Sequence, residues 1–119
     1  MNEQKQIMKF NGENYSEWEF ITMSHLKAKL LWKNVLNDNP YDEASEVEKH
    51  QKWQDSDMQA QGKIGERIHP KFHELLRNKN TAKEQWNAIK DIAESFSANS
   101  MIRARREFSY LELEEDGGV

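Results

Sequence analysis

The stretch TAKEQWNAIKDIAESF, residues 81–96, carries the clearest helical pattern of the chain. Its apolar residues recur at steps of four and three, from Ala82 through Trp86, Ile89 and Ala93 to Phe96. This spacing is typical of one buried face of an α-helix. Thr81 and Glu84 form a capping box, so Thr81 is predicted to be the N-cap. The stretch therefore predicts an amphipathic helix that places Trp86, Ile89 and Phe96 in the core.

Two further capping boxes occur earlier in the chain. SEWE begins at Ser16 and SEVE begins at Ser45, and both serines are predicted N-caps. The first box lies within FNGENYSEWEF, residues 10–20, which holds four aromatic residues. Tyr15 and Phe20 occupy the positions of a hydrophobic staple around the cap. These patterns predict a first helix with three aromatic core residues, Tyr15, Trp18 and Phe20, and with Leu31 and Trp32 in the core at its end.

The remaining segments complete an all-helical pattern. LWKNVL, residues 31–36, either continues the first helix or forms a short second one. A loop around Pro40 precedes a long polar helix that is predicted to end at about Ile68. PKFHELL, residues 70–76, reads as a short helix, and SANS, residues 97–100, as a break before a last helix. We expect one domain, 1–119, in the form of a compact all-α bundle of five or six helices with flexible ends at about 1–9 and 114–119.

Composition limits the classes of protein to consider. Apolar residues make up 36% and charged residues 32%, so twelve aromatic residues must anchor a small core. The absence of cysteine excludes disulfides, thiolate zinc sites and cysteine nucleophiles. No apolar run approaches the roughly 18 residues of a membrane span. The net charge of −4 argues against a surface that is basic throughout, as nucleic-acid binding over the whole surface would require.

The charges are unevenly distributed. Residues 38–57 carry seven acids and two lysines, whereas residues 63–90 carry seven bases and three glutamates. Two interpretations are open: two solvated helix faces, or complementary patches that guide one copy of the chain onto another.

No motif for catalysis or for a cofactor stands out, and we expect neither an enzyme nor a cofactor. His69 and His73 have the spacing of a metal-binding pair, but Pro70 lies between them and no third ligand is near in sequence. The only dense basic cluster is RARRE, residues 103–107. Three arginines of this cluster and the two apolar residues that flank it form a candidate interface: Met101, Arg103, Arg105, Arg106 and Phe108. A subunit contact or a polar face is favoured over RNA binding, which is not excluded.

Three motifs in order resemble the N-terminal part of copia-type retrotransposon Gag. A glycine–tyrosine–tryptophan start opens the first helix, here with Phe10, Gly12, Tyr15 and Trp18, and the pair Leu31 and Trp32 closes it. The second motif is TAKEQW, residues 81–86. The third is YLELEEDGG, residues 110–118, a leucine-rich helix end before an acidic turn with glycine.

The resemblance implies a capsid-like helical fold, since Gag polypeptides assemble into a shell around RNA. The match covers one lobe only and includes no cysteine–histidine knuckle, so RNA packaging is not implied. We expect a structural module that self-associates into a shell or oligomer in the cytoplasm, with a nuclear location left open. A domesticated lobe that binds a host peptide or protein in a groove between helices is the alternative. RNA binding through the arginine cluster is a third reading.

Overall fold

The structure is a computed structural model that describes the backbone of residues 7–117 and the side chains of residues 7–99. Five α-helices and one 3-10 turn follow each other along this part of the chain. They are α1 Tyr15–Ala28, α2 Trp32–Leu36, α3 Val47–Gly65, the 3-10 turn Pro70–Phe72, α4 His73–Leu76 and α5 Ala82–Gly117. Between residues 7 and 117 the only β-type pairing is an isolated bridge, so the predicted all-α class is confirmed.

The core lies where α2, α3 and α5 pack on one another, with α1 against α2 and α3. Trp18 is fully buried, and its ring centroid lies 4.9 Å from that of Trp86 and 5.6 Å from that of Phe10. The Trp86 ring in turn meets Trp32 edge-on at 5.1 Å. The indole N–H of Trp18 donates to the backbone oxygen of Arg67 at 2.6 Å. Aromatic packing therefore joins α1, α2 and α5, as expected for a chain with few aliphatic residues.

The segment before α1 is part of the core. Phe10 is fully buried, its N–H donates to the oxygen of Arg67, and its oxygen accepts from the N–H of His69, both at 2.9 Å. Phe10 thereby forms the isolated bridge with Ile68. Residues 66–67 form a turn and Ile68 pairs with Phe10, so α3 ends at Gly65 and not at the predicted Ile68.

Ser16 is not a cap, contrary to prediction. The helix α1 begins at Tyr15 with Asn14 at the N-cap position, so Ser16 is its second residue. The backbone oxygen of Asn14 accepts from the N–H of Trp18 at 2.9 Å, while its side-chain oxygen accepts from the N–H of Asn11 at 3.0 Å. The turn that precedes the helix is therefore built by asparagines, and this starts the helix earlier than the capping-box pattern indicates.

Ser45 is not a cap either. Its N–H and its hydroxyl both donate to the Asp42 carboxylate at 2.9 Å, and α3 begins at Val47 after Glu46. The hydroxyl therefore supports a turn that Asp42 organises, and it is not available to the first amides of α3.

Thr81 is the N-cap of α5, as predicted. Its Oγ1 accepts from the N–H of Glu84 at 3.1 Å. The reciprocal bond is shifted by one residue, because Glu84 Oε1 accepts from the N–H of Asn80 at 2.8 Å. The buried Asp57 carboxylate accepts from the N–H of Ala82, with distances of 3.2 and 3.3 Å to its two oxygens. Burial raises the pKa of Asp57, while bonds from Gln61 and from Ala82 oppose that rise.

The predicted core residues fall into three groups. Trp18, Leu31, Trp86 and Ile89 are buried, and Tyr15 and Trp32 are partly buried against the core. Two predictions are wrong, since Phe20 is 66% exposed and Phe96 is 36% exposed.

Helical geometry explains the exposure of Phe20. The buried positions of α1 are four residues apart, at Trp18, Thr22 and Leu26. Phe20 lies two residues from Trp18, about 200° around the helix, and faces away from the core.

The helix α1 ends in a Schellman motif that separates it from α2, which decides between the two readings of residues 31–36. The N–H of Leu31 donates to the oxygen of Leu26 at 2.8 Å, and that of Leu30 donates to Lys27 at 3.0 Å. Leu30 has a φ of 62°, the left-handed conformation that this motif requires and that glycine usually supplies.

No break occurs at residues 97–100, because α5 is one helix from Ala82 to Gly117. The prediction of a separate last helix is therefore wrong. Serine, alanine and asparagine each cost less than about 1 kcal/mol in a helix interior, whereas proline would interrupt it.

Candidate interaction surface

An open groove of about 840 Å³ lies between the turn that leads into α1 and the middle of α5. Residues 12–17 form one wall, and residues between Lys90 and Asn99 form the other. The backbone of Gly12 approaches the Phe96 ring so closely that a Cβ there would lie 3.1 Å from it. Gly12 also has a φ of 100°, which L side chains rarely adopt. Glycine therefore allows the wall of the groove to pack on Phe96.

The apolar lining of the groove comes from Tyr15, Ala93 and Phe96. The Phe96 ring packs edge-on against Phe72 at 6.2 Å, and the side chain is 36% exposed. The hydroxyl of Tyr15 donates to Glu19 Oε2 at 3.0 Å. Burial, followed by the neighbouring Glu19 carboxylate, raises the pKa of Tyr15, and the phenol therefore stays protonated at neutral pH.

The rim of the groove is acidic. Glu13, Glu17 and Glu94 contribute three exposed carboxylates, and Lys90 contributes one exposed ammonium group. The five ion pairs within residues 7–99 involve none of these four side chains. Apolar residues and unpaired carboxylates that line the same groove favour a cationic side chain with an apolar stem, such as arginine.

The acidic segment 38–57 and the basic segment 63–90 meet within one chain. Lys83 Nζ lies 3.4 Å from Asp38 Oδ2, and the buried Asp57 binds the start of α5. Arg67 is only 8% exposed and donates to the oxygen of Lys63 at 3.2 Å. Part of the charge complementarity that could guide one copy onto another is therefore satisfied inside a single copy.

Several large apolar side chains are exposed on the described surface outside the groove. They are Ile7, Phe20, Ile21, Leu30, Leu36, Val47 and Met58. Single exposed apolar residues are ordinary on protein surfaces, and they alone do not define a binding site.

The predicted interface residues all belong to α5. The backbone of Met101, Arg103, Arg105, Arg106 and Phe108 is helical. Their side chains lie outside the described part of the structure, so their role as an interface stays a prediction.

The two histidines lie at the two ends of the 3-10 turn and not within one helix. His69 Nδ1 accepts from the N–H of Lys71 at 3.1 Å at the start of the 3-10 turn, and both His69 and His73 are exposed. Among the described residues, no group of three His, Cys, Asp or Glu side chains could hold a metal ion. Within the same residues, no helix is both long and apolar enough to cross a membrane.

Sequence patterns did not predict the groove or the role of Asp57. The only signal for the groove is Gly12 between aromatic residues, and its contact partner Phe96 lies more than eighty positions away. Asp57 binds Ala82 across 25 residues, a separation that local capping motifs do not cover.

Comparison of the chain with protein-family models, curated proteins and solved structures found no match. The resemblance to copia-type Gag therefore stays a hypothesis based on the three motifs of residues 12–32, 81–86 and 110–118. The described geometry consists of an all-α bundle, an acidic groove and a long helix that continues from the groove.

Proposed function

We propose that this chain is the N-terminal capsid-like lobe of a copia-type Gag, or of a gene derived from one, and that it acts by self-association. The observation that carries the proposal is the length of α5. It has 36 residues, whereas α3, the next longest helix, has 19. At 1.5 Å per residue these helices are about 54 Å and about 28 Å long. A neighbour of half its length cannot cover α5 from end to end.

The apolar pattern of α5 extends along most of that length. Trp86, Ile89 and Ala93 are buried in the bundle. Further along the same helix, Met101, Ala104 and Phe108 recur at steps of three and four. Long helices in water derive most of their stability from packing such a stripe against another apolar surface. The same stripe in a second copy provides such a surface. This argument favours a subunit contact through α5.

The proposed product is an oligomer or shell built from repeated weak contacts, with closed or ring symmetry. A particle in the cytoplasm fits the family resemblance, and a nuclear location is compatible with a gene adopted by the host. The open groove favours the second candidate, a lobe that binds a host peptide or protein. That candidate predicts a monomer with one saturable partner.

The test is to replace one apolar residue of the α5 stripe with a charged residue. Phe108→Asp is expected to give a folded monomer, because an aspartate in an apolar contact loses its hydration. Met58→Asp is the matched control, since Met58 is 62% exposed on α3 and lies outside α5. Sedimentation of both variants, with circular dichroism as the check on folding, separates a specific α5 contact from a general effect of added charge. Equal association of Phe108→Asp and wild type would contradict the α5 contact.

A further inference from the structure

The charged side chains of the groove come from both of its walls. Glu13 and Glu17 lie on the wall at the start of α1, and Glu94 lies on the α5 wall with Lys90. All four side chains are exposed, and three carboxylates against one ammonium group leave the lining with a net charge of −2. The acidity of the groove is therefore built by two elements that are far apart in sequence.

The helix dipole explains only part of this acidity. Glu17 lies in the first turn of α1, where a carboxylate complements the positive end of the dipole. Glu94 lies about three turns into α5, which begins at Ala82. Because the effect of the dipole is confined to the first turn of a helix, it does not account for a carboxylate at this point of the groove.

The surroundings of Tyr15 show that negative charge acts from both sides of the groove. The hydroxyl of Tyr15 donates to Glu19 Oε2 on α1 at 3.0 Å. Burial is the largest cause of the raised pKa of Tyr15, and the hydrogen bond and charge of Glu19 and the charge of Glu94 on α5 raise it further. A cation in the groove would therefore be attracted by carboxylates of two helices.

The same groove offers apolar contact. Tyr15, Ala93 and Phe96 line it, and the Phe96 ring packs against Gly12 on one side and edge-on against Phe72. Arginine and lysine have a stem of methylene groups that can lie along apolar surface while the charged end stays beside a carboxylate. The lining therefore matches a cationic side chain better than an acidic or a purely apolar one.

The length of the groove limits its occupant to a short segment of chain. The α5 residues that line the groove extend from Lys90 to Asn99, about 14 Å along the helix. An extended peptide advances about 3.3 Å per residue, so about four residues fit over this length. Side chains two residues apart in such a peptide point to the same side, at a spacing of about 7 Å. Two alternate side chains can therefore enter the groove together.

We propose that the groove binds an extended segment of another protein that carries two cationic side chains at alternate positions. The stems of these side chains lie against Tyr15 and Phe96. Their charged groups pair with the carboxylates of Glu13, Glu17 and Glu94. The proposal does not require self-association, and it specifies the chemistry of the partner in the second candidate function.

A peptide titration on the full chain tests the proposal. The probe, termed the arginine peptide, is a blocked pentapeptide with arginine at its second and fourth positions and glycine elsewhere. At physiological ionic strength, where charges more than about 8 Å apart are largely screened, we expect the amide NMR signals of residues 12–17 and 90–99 to shift. The same peptide with glutamine in place of arginine keeps the length but not the charge, and it should cause no such shifts.

Charge reversal assigns the binding to the groove. The groove variant carries Glu17→Lys and Glu94→Lys, one substitution on each wall. We expect its dissociation constant for the arginine peptide to rise at least about tenfold, and we expect it to bind the corresponding peptide with glutamate at both positions. The control carries Glu43→Lys and Glu48→Lys, which make the same change in net charge at exposed positions outside the groove. Its dissociation constant for the arginine peptide should stay within about twofold of the wild-type value.

A neutral pair of substitutions tests the same contact if the groove variant does not fold. Glu17→Gln and Glu94→Gln remove two carboxylates and add no new charge. Together they should raise the dissociation constant for the arginine peptide about threefold to tenfold. Thermal melts verify that each variant is folded before its binding is compared with that of the wild type.

Four results would overturn the proposal. The first is the absence of shifts in the groove signals at millimolar arginine peptide, and the second is an equal loss of binding in the groove variant and the control. The third is a set of shifts confined to the acidic segment 38–57. The fourth is a change of the groove signals on simple dilution of the wild-type chain, which would assign the groove to a second copy. Failure of the peptide to bind leaves self-association standing, and a wild-type chain that stays monomeric leaves the groove proposal standing.

Discussion

Trp18 connects three parts of the core at the scale of a single residue. Its ring packs on Phe10 and Trp86, and its N–H binds the backbone oxygen that also accepts from Phe10. The loss of this side chain would therefore leave a cavity between α1, α5 and the segment before α1.

We expect Trp18→Ala to lower the free energy of unfolding by about 3–5 kcal/mol. Trp18→Phe is the matched variant, since it keeps an aromatic ring and removes the bond to Arg67. Trp18→Phe should lower the free energy of unfolding by clearly less than Trp18→Ala. Chemical denaturation measures both, and a Trp18→Ala protein as stable as the wild type would contradict the central position of this residue.

Leu30 carries a conformational cost that the sequence does not reveal. Its φ of 62° costs a residue with a Cβ roughly 1–2 kcal/mol, and its side chain is 78% exposed. Leu30→Gly removes this cost and adds about 0.5–1 kcal/mol of chain entropy in the unfolded state. The net prediction is a gain of between 0 and about 1.5 kcal/mol in the free energy of unfolding, which raises the melting temperature by a few degrees.

Leu30→Ala is the control for that gain. Alanine removes the exposed side chain but keeps the Cβ, so its melting temperature should remain close to that of the wild type. If alanine and glycine raise stability equally, the gain comes from the loss of the exposed leucine and not from the backbone.

The helical period predicted several core residues correctly, but it also placed Phe96 in the core, and Phe96 is 36% exposed. Trp18, Trp86 and Ile89 follow the spacing of four and three, and all are buried. Phe20 was wrongly predicted to be buried. The hydrophobic-staple pattern describes only the first turn of a helix, whereas burial depends on which side of α1 packs against α2 and α3. The burial of Phe10 depends on the backbone of Arg67, which no local pattern indicates.

At the scale of helices, two side chains bind the first backbone amides of α5. Thr81 caps the N–H of Glu84, and the distant Asp57 binds the N–H of Ala82. Two of the amides that have no partner within the helix are therefore satisfied, one by a local side chain and one by α3. The sequence pattern predicted the local bond of Thr81. The bond from Asp57 joins α3 to α5 and is visible only in the tertiary structure.

The three predicted caps form an internal comparison. Thr81→Ala should cost about 0.5–2 kcal/mol, because it leaves the N–H of Glu84 without its partner. Ser16→Ala and Ser45→Ala should each change stability by less than about 0.5 kcal/mol, since neither side chain caps a helix. Thr81→Ser keeps the hydroxyl and should retain most of the wild-type stability.

Equal losses from Thr81→Ala and Ser16→Ala in thermal melts would show that the hydroxyl of Thr81 has no special role. The two failed caps share a physical reason. In each case another residue, Asn14 or Asp42, organises the turn before the helix. The four-residue capping-box pattern does not include that residue and therefore misplaces the cap.

The continuity of α5 has the largest consequence for the surface of the molecule. A cluster of serine and asparagine resembles a loop in sequence, yet the helix passes through residues 97–100. Helix propensity is a weak preference that neighbouring turns and packing override. A single helix keeps the groove and the apolar stripe on one side, which a break at this point would not ensure.

At the scale of the whole molecule, the all-α class followed from the repeated helical periods and was correctly predicted. The uneven charge distribution was harder to interpret, because Lys83 and Asp38 pair within one chain while the rim of the groove has unmatched carboxylates. Exposed ion pairs contribute only about 0–1 kcal/mol each and are screened by salt. An apolar contact must therefore supply most of the energy of any association.

The most direct test of the central claim is sedimentation of the wild-type chain from micromolar to millimolar concentration, with and without natural flanking sequence. Self-association predicts a mass that rises with concentration, a dimer or larger species at the upper end, and a folded monomer for Phe108→Asp. Added salt should weaken association without abolishing it, because the apolar stripe carries the contact. A wild-type chain that remains monomeric at millimolar concentration in both forms would contradict the account and favour a lobe that binds a different partner.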